Sequence, residues 1–172
     1  MEATIEERTR NIEAARREAE MGRRAIEAQA WIATGLSQLN DAMRGEQSLS
    51  ALADNILNHL CRYLDAQVAA LFILEHGRLK RVGGFAYTQD AGLPDEFQVG
   101  DGLVGQAALN KEIIVLEDIP EGSLRITSGL GNAFPKSLVL LPLLYADELI
   151  GVIELGALNL LTIEKRNYLT LA

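Results

Sequence analysis

The sequence predicts an α+β fold, in which an antiparallel sheet carries helices on one of its faces. Helical patterns occupy residues 1–64 and resume near Thr162, and the apolar segments between them have the length of strands. Two connections, His76-Gly77 and Asp147-Glu148, are short enough to be hairpins between antiparallel strands. With 172 residues, of which 48% are hydrophobic, the chain can form one globular core with an appendage.

Composition limits the classes of function. The net charge of -8 argues against a nucleic acid or an anionic membrane surface as partner. One cysteine, Cys61, excludes an internal disulfide and a four-thiolate metal site. No apolar run is long enough to span a bilayer and the N-terminus is too charged for a signal peptide, so we expect a cytoplasmic protein. The sequence stops inside a helical pattern at Ala172, which predicts an excised fragment and leaves room for a membrane anchor elsewhere in the parent protein.

Residues 1–45 are predicted to form a signalling helix or coiled-coil linker, and residues 46–172 the folded domain. The first 30 residues hold seven Glu and six Arg, which leaves -7 of the net charge for the rest. Apolar residues recur every seven positions, as in a parallel dimer seam, although Gly22 weakens it. The alternative is one amphipathic helix packed on its own domain, and a break at Gly22 or Gly35 stays open. The candidate seam residues are Ile5, Ile12, Ala19, Ile26, Ala33, Leu36, Asn40 and Met43.

Local signals predict the elements of the folded domain. Ser48 is the predicted N-cap of a second helix, whose buried stripe runs from Leu49 to Leu64. Alternation predicts that Leu79, Arg81, Gly83, Phe85 and Tyr87 share one strand face. The loop Glu117–Pro135 is long enough to be a binding loop. The predicted strands are Val68–Leu74, Leu79–Tyr87, Ile113–Leu116, Leu138–Tyr145 and Leu149–Leu155, with further helices at Leu103–Asn110 and from Thr162.

Four strings punctuated by glycine or proline follow one another along the domain: Gly100–Gln106, Glu117–Pro120, Ser128–Pro135 and Gly151–Leu155. In order and spacing, together with Trp31–Leu36, they resemble a GAF domain of the type found in bacterial sensor (hybrid) histidine kinases. The resemblance covers residues 31–172. It implies a PAS-related antiparallel sheet of five or six strands, with terminal helices on one face and a ligand pocket on the other. The preceding helix resembles signalling helices that pair two subunits in parallel.

No cofactor is expected when the chemistry of other GAF domains is compared with this sequence. Asp118-Ile-Pro120 resembles the phytochrome motif, but no Cys or His follows it to bind a bilin. Asn110-Lys111 matches only the start of the cyclic-nucleotide signature. His59 and His76 are expected to be surface or helix-packing residues instead of haem ligands. Free methionine sulfoxide reductases of this family use several cysteines, and a single thiol cannot supply the resolving one.

A small-molecule pocket needs apolar walls and a few converging polar groups. No catalytic or metal-binding set is predicted. The aromatic candidates are alternatively core residues, Arg125 a surface salt bridge, and Glu154 a partner of a loop amide. The pocket is alternatively filled by Ile119 and Ile126. The candidate ligand-binding residues are Phe85, Tyr87, Phe97, Gln106, Arg125, Ser128, Asn132, Phe134 and Glu154.

Three functions follow from the sequence. The leading hypothesis is a sensory or relay domain of a bacterial two-component protein, without enzymatic activity of its own, which forms a homodimer through its helices. The second is a structural dimerisation spacer without ligand, and the third is an enzyme acting on a small substrate in the same pocket.

Overall fold

A computed structural model describes residues 2–87, 93–121 and 125–172. The helices in these ranges are α1 (Glu2–Ala42), α2 (Leu49–Leu64), α3 (Gly102–Asn110) and α4 (Ile163–Leu171). The strands are β1 (Val68–Glu75), β2 (Arg78–Phe85), β3 (Glu96–Gln98), β4 (Ile114–Glu117), β5 (Ile126–Ser128), β6 (Gly131–Ala133), β7 (Ser137–Tyr145) and β8 (Glu148–Ala157).

Six strands form one antiparallel sheet in the order β3-β2-β1-β8-β7-β4, which confirms the predicted α+β architecture. The turn between β1 and β2 lies at His76-Gly77, as predicted, and both residues have positive φ angles. The turn between β7 and β8 uses Ala146 and Asp147, with φ of 49° and 64°, one residue earlier than predicted. Left-handed residues at both turn positions fit the twist of a two-residue hairpin.

The sheet has a different cover on each face. Helices α1, α2 and α4 cover the first, which we call the helix face, and α3 covers part of the second, which we call the open face. The implied placement of both terminal helices on one face is therefore confirmed. Fully buried residues of the helix-face core include Leu57, Leu60, Leu71, Ile153 and Tyr168. Those of the open-face core include Phe72, Leu79, Val104, Ala107 and Leu140.

Helix α1 runs without a break through Gly22 and Gly35, over 41 residues or roughly 60 Å. Residues 4–27 are exposed, and Ile12 and Ile26 each retain 68% of their accessible surface. From Trp31 onward one side of α1 packs against α2 and α4, and Leu39 is only 5% exposed. The long helix is therefore bound to the domain only near its C-terminal end.

Helix α2 begins where the sequence predicts. The Ser48 hydroxyl accepts a hydrogen bond from the backbone N–H of Ala51 at 3.2 Å, which satisfies one unpaired donor of the first turn. Asp65 ends the helix in the left-handed conformation. The predicted buried stripe is correct at Leu64 but wrong at its start, because Leu49 is 46% exposed while Leu57 is fully buried.

A β-bulge in β2 changes which side chains face the helices. Leu71 pairs with Gly83 but Phe72 pairs with Arg81, so Val82 is an extra residue in β2. Before the bulge, Arg81 lies on the open face. After it, Phe85 packs against the helix-face core. The prediction that these side chains share one face is therefore wrong, because the inserted residue reverses the alternation.

Strand β3 and the hairpin of β5 and β6 lie in segments predicted to be loops. Each of these strands has only three residues, too few for alternation to be recognised in the sequence. Over the part of the chain that the structure describes, no helix is long and apolar enough to cross a membrane.

Gly35 should be far more sensitive to substitution than Gly22. A Cβ atom on Gly35 would lie 2.3 Å from Tyr63 Cε1 and 2.6 Å from Tyr168 Cε2, whereas one on Gly22 would meet nothing within 4 Å. We expect Gly35→Ala to lower the free energy of unfolding by about 1–3 kcal/mol. Gly22→Ala should raise it by up to about 1 kcal/mol, because alanine favours helix. Urea denaturation measures both, and equal effects of the two substitutions would contradict the packing described.

Candidate functional site on the open face of the sheet

Glu154 is a carboxylate placed in the middle of an apolar sheet. It lies on β8, a central strand, where it pairs with Ala70 on β1 and Leu140 on β7. Both partners belong to the open-face core, as does Val152 two residues earlier on the same side of β8. The alternation of β8 therefore presents this carboxylate on the open face, surrounded by apolar side chains.

The surroundings of Glu154 disfavour its charge. The side chain is partly buried, and this loss of hydration raises the pKa of its carboxyl group above the usual 4.5. Among the described residues, no hydrogen bond and no ion pair to the Glu154 carboxyl group is found. The predicted bond to a loop amide therefore does not occur within the described part of the chain. A partly buried carboxyl group with a raised pKa in an apolar setting is a candidate functional group.

Arg81, Tyr87 and Asp95 form a polar cluster beside Glu154. Arg81 Nε donates to Asp95 Oδ1 at 2.8 Å, and its guanidinium carbon lies 4.4 Å from the centre of the Tyr87 ring. Burial is the main cause that raises the pKa of the Tyr87 hydroxyl. The negative charges of Asp95 and Glu154 also raise it, against the opposing effect of Arg81. Tyr87 and Glu154 are therefore close enough to interact electrostatically.

Small residues separate Glu154 from the polar cluster. In the row of paired residues that crosses the sheet, Glu154 is followed by Ala70 and then by Gly84. A Cβ atom on Gly84 would lie 2.8 Å from Tyr87 Cβ, so the tyrosine packs directly over the glycine backbone. Ala70 is only 2% exposed, so side chains of the open-face core already cover this part of the row.

The structure brings together only some of the predicted ligand-binding residues. Tyr87 and Phe97 both pack against the open-face core that carries Glu154, and Phe97 meets Phe72 edge-on at 5.4 Å between ring centres. Gln106 is partly buried on α3 and donates to Asn110 Oδ1 at 2.9 Å. Phe85 lies on the opposite face of the sheet, so its proposed role as a pocket wall beside Tyr87 is wrong.

The remaining candidates lie on or beside the hairpin of β5 and β6. Arg125, Ser128 and Asn132 are exposed, and Phe134 is 39% exposed just after β6. The Ser128 hydroxyl donates to the backbone oxygen of Gly131 at 3.1 Å, which stabilises the turn. The structure does not place these four side chains against Glu154, so their ligand-binding role stays a prediction.

Sequence reasoning missed Arg81 and Asp95 as site residues. The strand pattern placed Arg81 on the face of Tyr87, but a charged residue in a strand usually faces solvent. Asp95 follows the predicted loop, and nothing in the sequence indicates its pairing with a residue 14 positions earlier.

Two open grooves lie away from Glu154. The larger, of about 410 Å³, is lined mainly by apolar residues of α3 and of the adjoining strand ends, including Leu74, Leu109 and Leu149. The smaller, of about 290 Å³, lies beside α2, where His59 and Tyr63 line it. No predicted ligand-binding residue lines either groove.

The smaller groove adjoins a joint between three helices. The Tyr168 hydroxyl on α4 donates to the backbone oxygen of Gly35 on α1 at 3.1 Å and lies 3.0 Å from Nε2 of His59 on α2. Tyr63 donates to the backbone oxygen of Trp31, and the two rings stack at 4.6 Å. His59 is thus a helix-packing residue, as expected, and burial lowers the pKa of its imidazole.

Cys61 lies in the helix-face core, opposite the candidate site. It is 2% exposed, and burial raises the pKa of its thiol to about 12, so it is held as an unreactive thiol. Among the residues that the structure describes, no group of three or more His, Cys, Asp or Glu side chains is arranged to hold a metal ion.

Comparison with known proteins identifies a similar family. The family model described as "GAF domain" matches residues 46–170. No curated protein matches the chain.

Solved structures with the same fold include three from different bacteria. The GAF domain of a phosphoenolpyruvate-protein phosphotransferase from Coxiella burnetii is 22% identical, with a TM-score of 0.65 over 81% of this chain and 87% of that one. The nlh2 GAF domain of A. aeolicus in an inactive state is 16% identical, with a TM-score of 0.65 over 83% and 89%. Free methionine-R-sulfoxide reductase from Neisseria meningitidis, in complex with its substrate, is 17% identical, with a TM-score of 0.60 over 83% of each chain. These identities show a shared fold alone.

The Glu154 carboxyl group should make stability depend on pH. Because its pKa is raised in the folded state, the native protein binds the proton more tightly than the unfolded chain does above pH 4.5. We therefore expect stability to fall as the pH rises from 4.5 through the raised pKa, by at most about 1.4 kcal/mol per pH unit. Below pH 4.5 the group is protonated in both states, and its effect disappears.

Glu154→Gln should remove this component, so the variant gains stability relative to the wild type as the pH rises. Urea denaturation at pH 4.5, 6 and 8 measures the difference. Glu148→Gln, at an exposed position at the start of the same strand, is the matched control. Parallel pH profiles for Glu154→Gln and the wild type would show that Glu154 is well solvated or paired in the native protein.

Proposed function

Because this chain belongs to the GAF domain family, we propose that it is a sensory or relay domain of a bacterial signal-transduction protein. Its parent is a two-component histidine kinase in this proposal. The domain binds a small molecule on its open face, or it relays a conformational signal through a parallel homodimer of helices. It is located in the cytoplasm. No cofactor is involved and the domain itself catalyses no reaction.

The observation that carries the proposal is the form of α1. Its first part is exposed and has isoleucines at spacings of seven and fourteen residues, whereas Trp31, Leu36 and Leu39 pack into the domain. A helix that extends about 40 Å beyond its own domain cannot bury these isoleucines within the chain. A second copy of the same helix would bury them in a coiled-coil seam.

The seam has fewer members than the sequence suggests. Ile5, Ile12, Ala19 and Ile26 are exposed and support the proposed dimer, as are Ala33, Asn40 and Met43 nearer the domain. Leu36 instead packs against the helix-face core of its own chain. The two roles predicted for α1, packing on its own domain and pairing with a second copy, thus apply to different parts of the helix. The C-terminal part packs on the domain, and the N-terminal part is available for pairing.

The joint around Tyr168 supports a relay. It bonds α4, at the C-terminal end of the chain, directly to α1. A change in the spacing or rotation of one helix therefore strains the contact with the other, and bistable packing of this kind transmits signals.

The dimer seam can be tested by placing charge in it. We expect the double substitution Ile12→Lys with Ile26→Lys to raise the dimer dissociation constant at least about a hundredfold, because four buried apolar side chains are lost per dimer. Sedimentation equilibrium measures the constant. The control is Ala14→Lys with Met21→Lys, which adds the same charge at exposed positions outside the seam. A monomeric wild type, or equal effects of the two pairs, would reject the proposed seam.

A ligand-free dimerisation spacer is the second candidate. The observation in its favour is that α3 packs tightly on the open face, where Leu79 and Ala107 are fully buried. Native mass spectrometry of the full chain purified from cells separates the two candidates. We expect a retained small molecule in the wild type that is depleted in Glu154→Gln and kept in Glu148→Gln. A bare chain mass for all three proteins would favour the spacer.

An enzyme is less well supported by the residues present. One of the similar structures is a free methionine-R-sulfoxide reductase. Thiol chemistry, however, requires an accessible thiolate, and Cys61 is buried under the helices on the face opposite Glu154. Inactivity of the purified chain towards free methionine sulfoxide is expected.

A further inference from the structure

We propose that the groove between α1 and α2 is a second ligand site, which binds the carboxylate group of a small monocarboxylic acid. This groove lies on the helices, on the other side of the sheet from Glu154, so the inference goes beyond the proposed function. It depends on three observations: the groove itself, the unused donor groups that line it, and its single positive charge.

The groove has walls that come from two helices. Its volume is about 290 Å³, close to the lower end of the range found for small-molecule sites. Gln38 lines it from α1, and Asn58, His59, Arg62 and Tyr63 line it from α2. Side chains of both helices can therefore contact one small ligand.

Two of the lining side chains have hydrogen-bond donors that the protein does not use. Among the described residues, the side chains of Gln38 and Arg62 form no hydrogen bond and no ion pair. The amide of Asn58 donates to the backbone oxygen of Asp54 at 2.8 Å, and its nitrogen has a second hydrogen to donate. A guanidinium group and amide N–H groups together suit the two oxygens of a carboxylate.

The charge of the groove favours a single negative charge on the ligand. Arg62 is positive, and within the described part of the chain no Asp or Glu side chain lines the groove. Burial lowers the pKa of the His59 imidazole, so this group is neutral at pH 7. A carboxylate therefore balances the charge of Arg62, whereas a cation would be repelled and a neutral ligand would gain no charge-assisted hydrogen bond.

The groove lies away from the proposed dimer seam and next to the joint around Tyr168. Successive residues of a helix are about 100° apart, which places Gln38 roughly 140° from Ala33 and roughly 160° from Asn40. His59 both lines the groove and contacts Tyr168. A ligand held by Gln38 and Arg62 would therefore join α1 to α2 beside the joint. An effect of this ligand on signalling rests on the proposed relay, but the binding site itself does not.

The test uses three probes of similar size and different charge: propionate, propionamide and n-propylammonium. They are titrated into the ¹⁵N-labelled full chain at pH 7, at constant ionic strength so that the screening of charges does not change. Binding is followed by the chemical shifts of the backbone and of the side-chain nitrogens. We expect saturable binding of propionate alone, with shifts at the side chains of Gln38 and Arg62.

Substitutions test the two walls of the groove separately. Arg62→Gln removes the charge and should weaken propionate binding about tenfold or more. Gln38→Ala removes a neutral donor on α1 and should weaken it about threefold. Lys136→Gln, which removes an exposed positive charge elsewhere on the domain, should leave binding unchanged. Urea denaturation of each variant shows whether it is folded as the wild type is.

The outcomes separate this inference from the proposed function. Binding of propionamide or propylammonium at least as tight as that of propionate would overturn the carboxylate site. Unchanged propionate binding in a folded Arg62→Gln variant, or an equal loss in Lys136→Gln, would overturn it too, as would absence of saturable binding by all three probes. None of these results contradicts the sensory role, which fails instead if the wild type is monomeric and its native mass shows no retained molecule.

Discussion

The hydroxyl group of Tyr168 joins the three helices on one face of the sheet. The side chain is fully buried, and its hydroxyl satisfies the backbone oxygen of Gly35 while meeting Nε2 of His59. Helix α1 can approach this closely because Gly35 has no side chain between the helix and the two tyrosine rings. An unpaired hydroxyl in this position would be unfavourable, so the geometry of the joint is closely specified.

Helix α4 has further polar contacts that extend this joint across the domain. Lys165 Nζ donates to the backbone oxygen of Leu64 at the end of α2, at 2.6 Å. Arg166 forms an ion pair with Glu117, the last residue of β4. The chain continues from β4 towards the hairpin of β5 and β6. Polar contacts thus connect the end of β4, the end of α2 and the long helix α1 to α4.

The two faces of the sheet differ in whether their polar side chains have hydrogen-bond partners. On the helix face, His59 Nε2 and the hydroxyl groups of Tyr63 and Tyr168 all have partners. On the open face, Glu154 has none among the described residues, although it lies on a central strand. A carboxyl group with a raised pKa on a central apolar strand is the open-face feature on which the proposed ligand site rests.

Local signals were sufficient to predict much of the fold. Ser48 and Thr162 cap their helices because each hydroxyl can accept a nearby backbone N–H, and this depends only on adjacent sequence. Hairpin turns and the apolar strands of the central sheet were found for the same reason. Glu154 was recognised as a candidate because a carboxylate interrupts an apolar strand.

Tertiary structure decided the contacts between distant residues. The bulge at Val82 places Phe85 on the helix face, because one extra residue reverses the alternation and no local pattern reveals it. Arg81 meets Asp95 only because β3 adds to the sheet edge, which brings their backbones together as well. Tyr168 meets Gly35 across 133 positions. The sequence by itself therefore determined the helices, the longer strands, the cap at Ser48 and the unusual carboxylate, since these depend on neighbouring residues. Strand register and helix packing decided which side chains share a site, because both depend on contacts between residues that are far apart in the sequence.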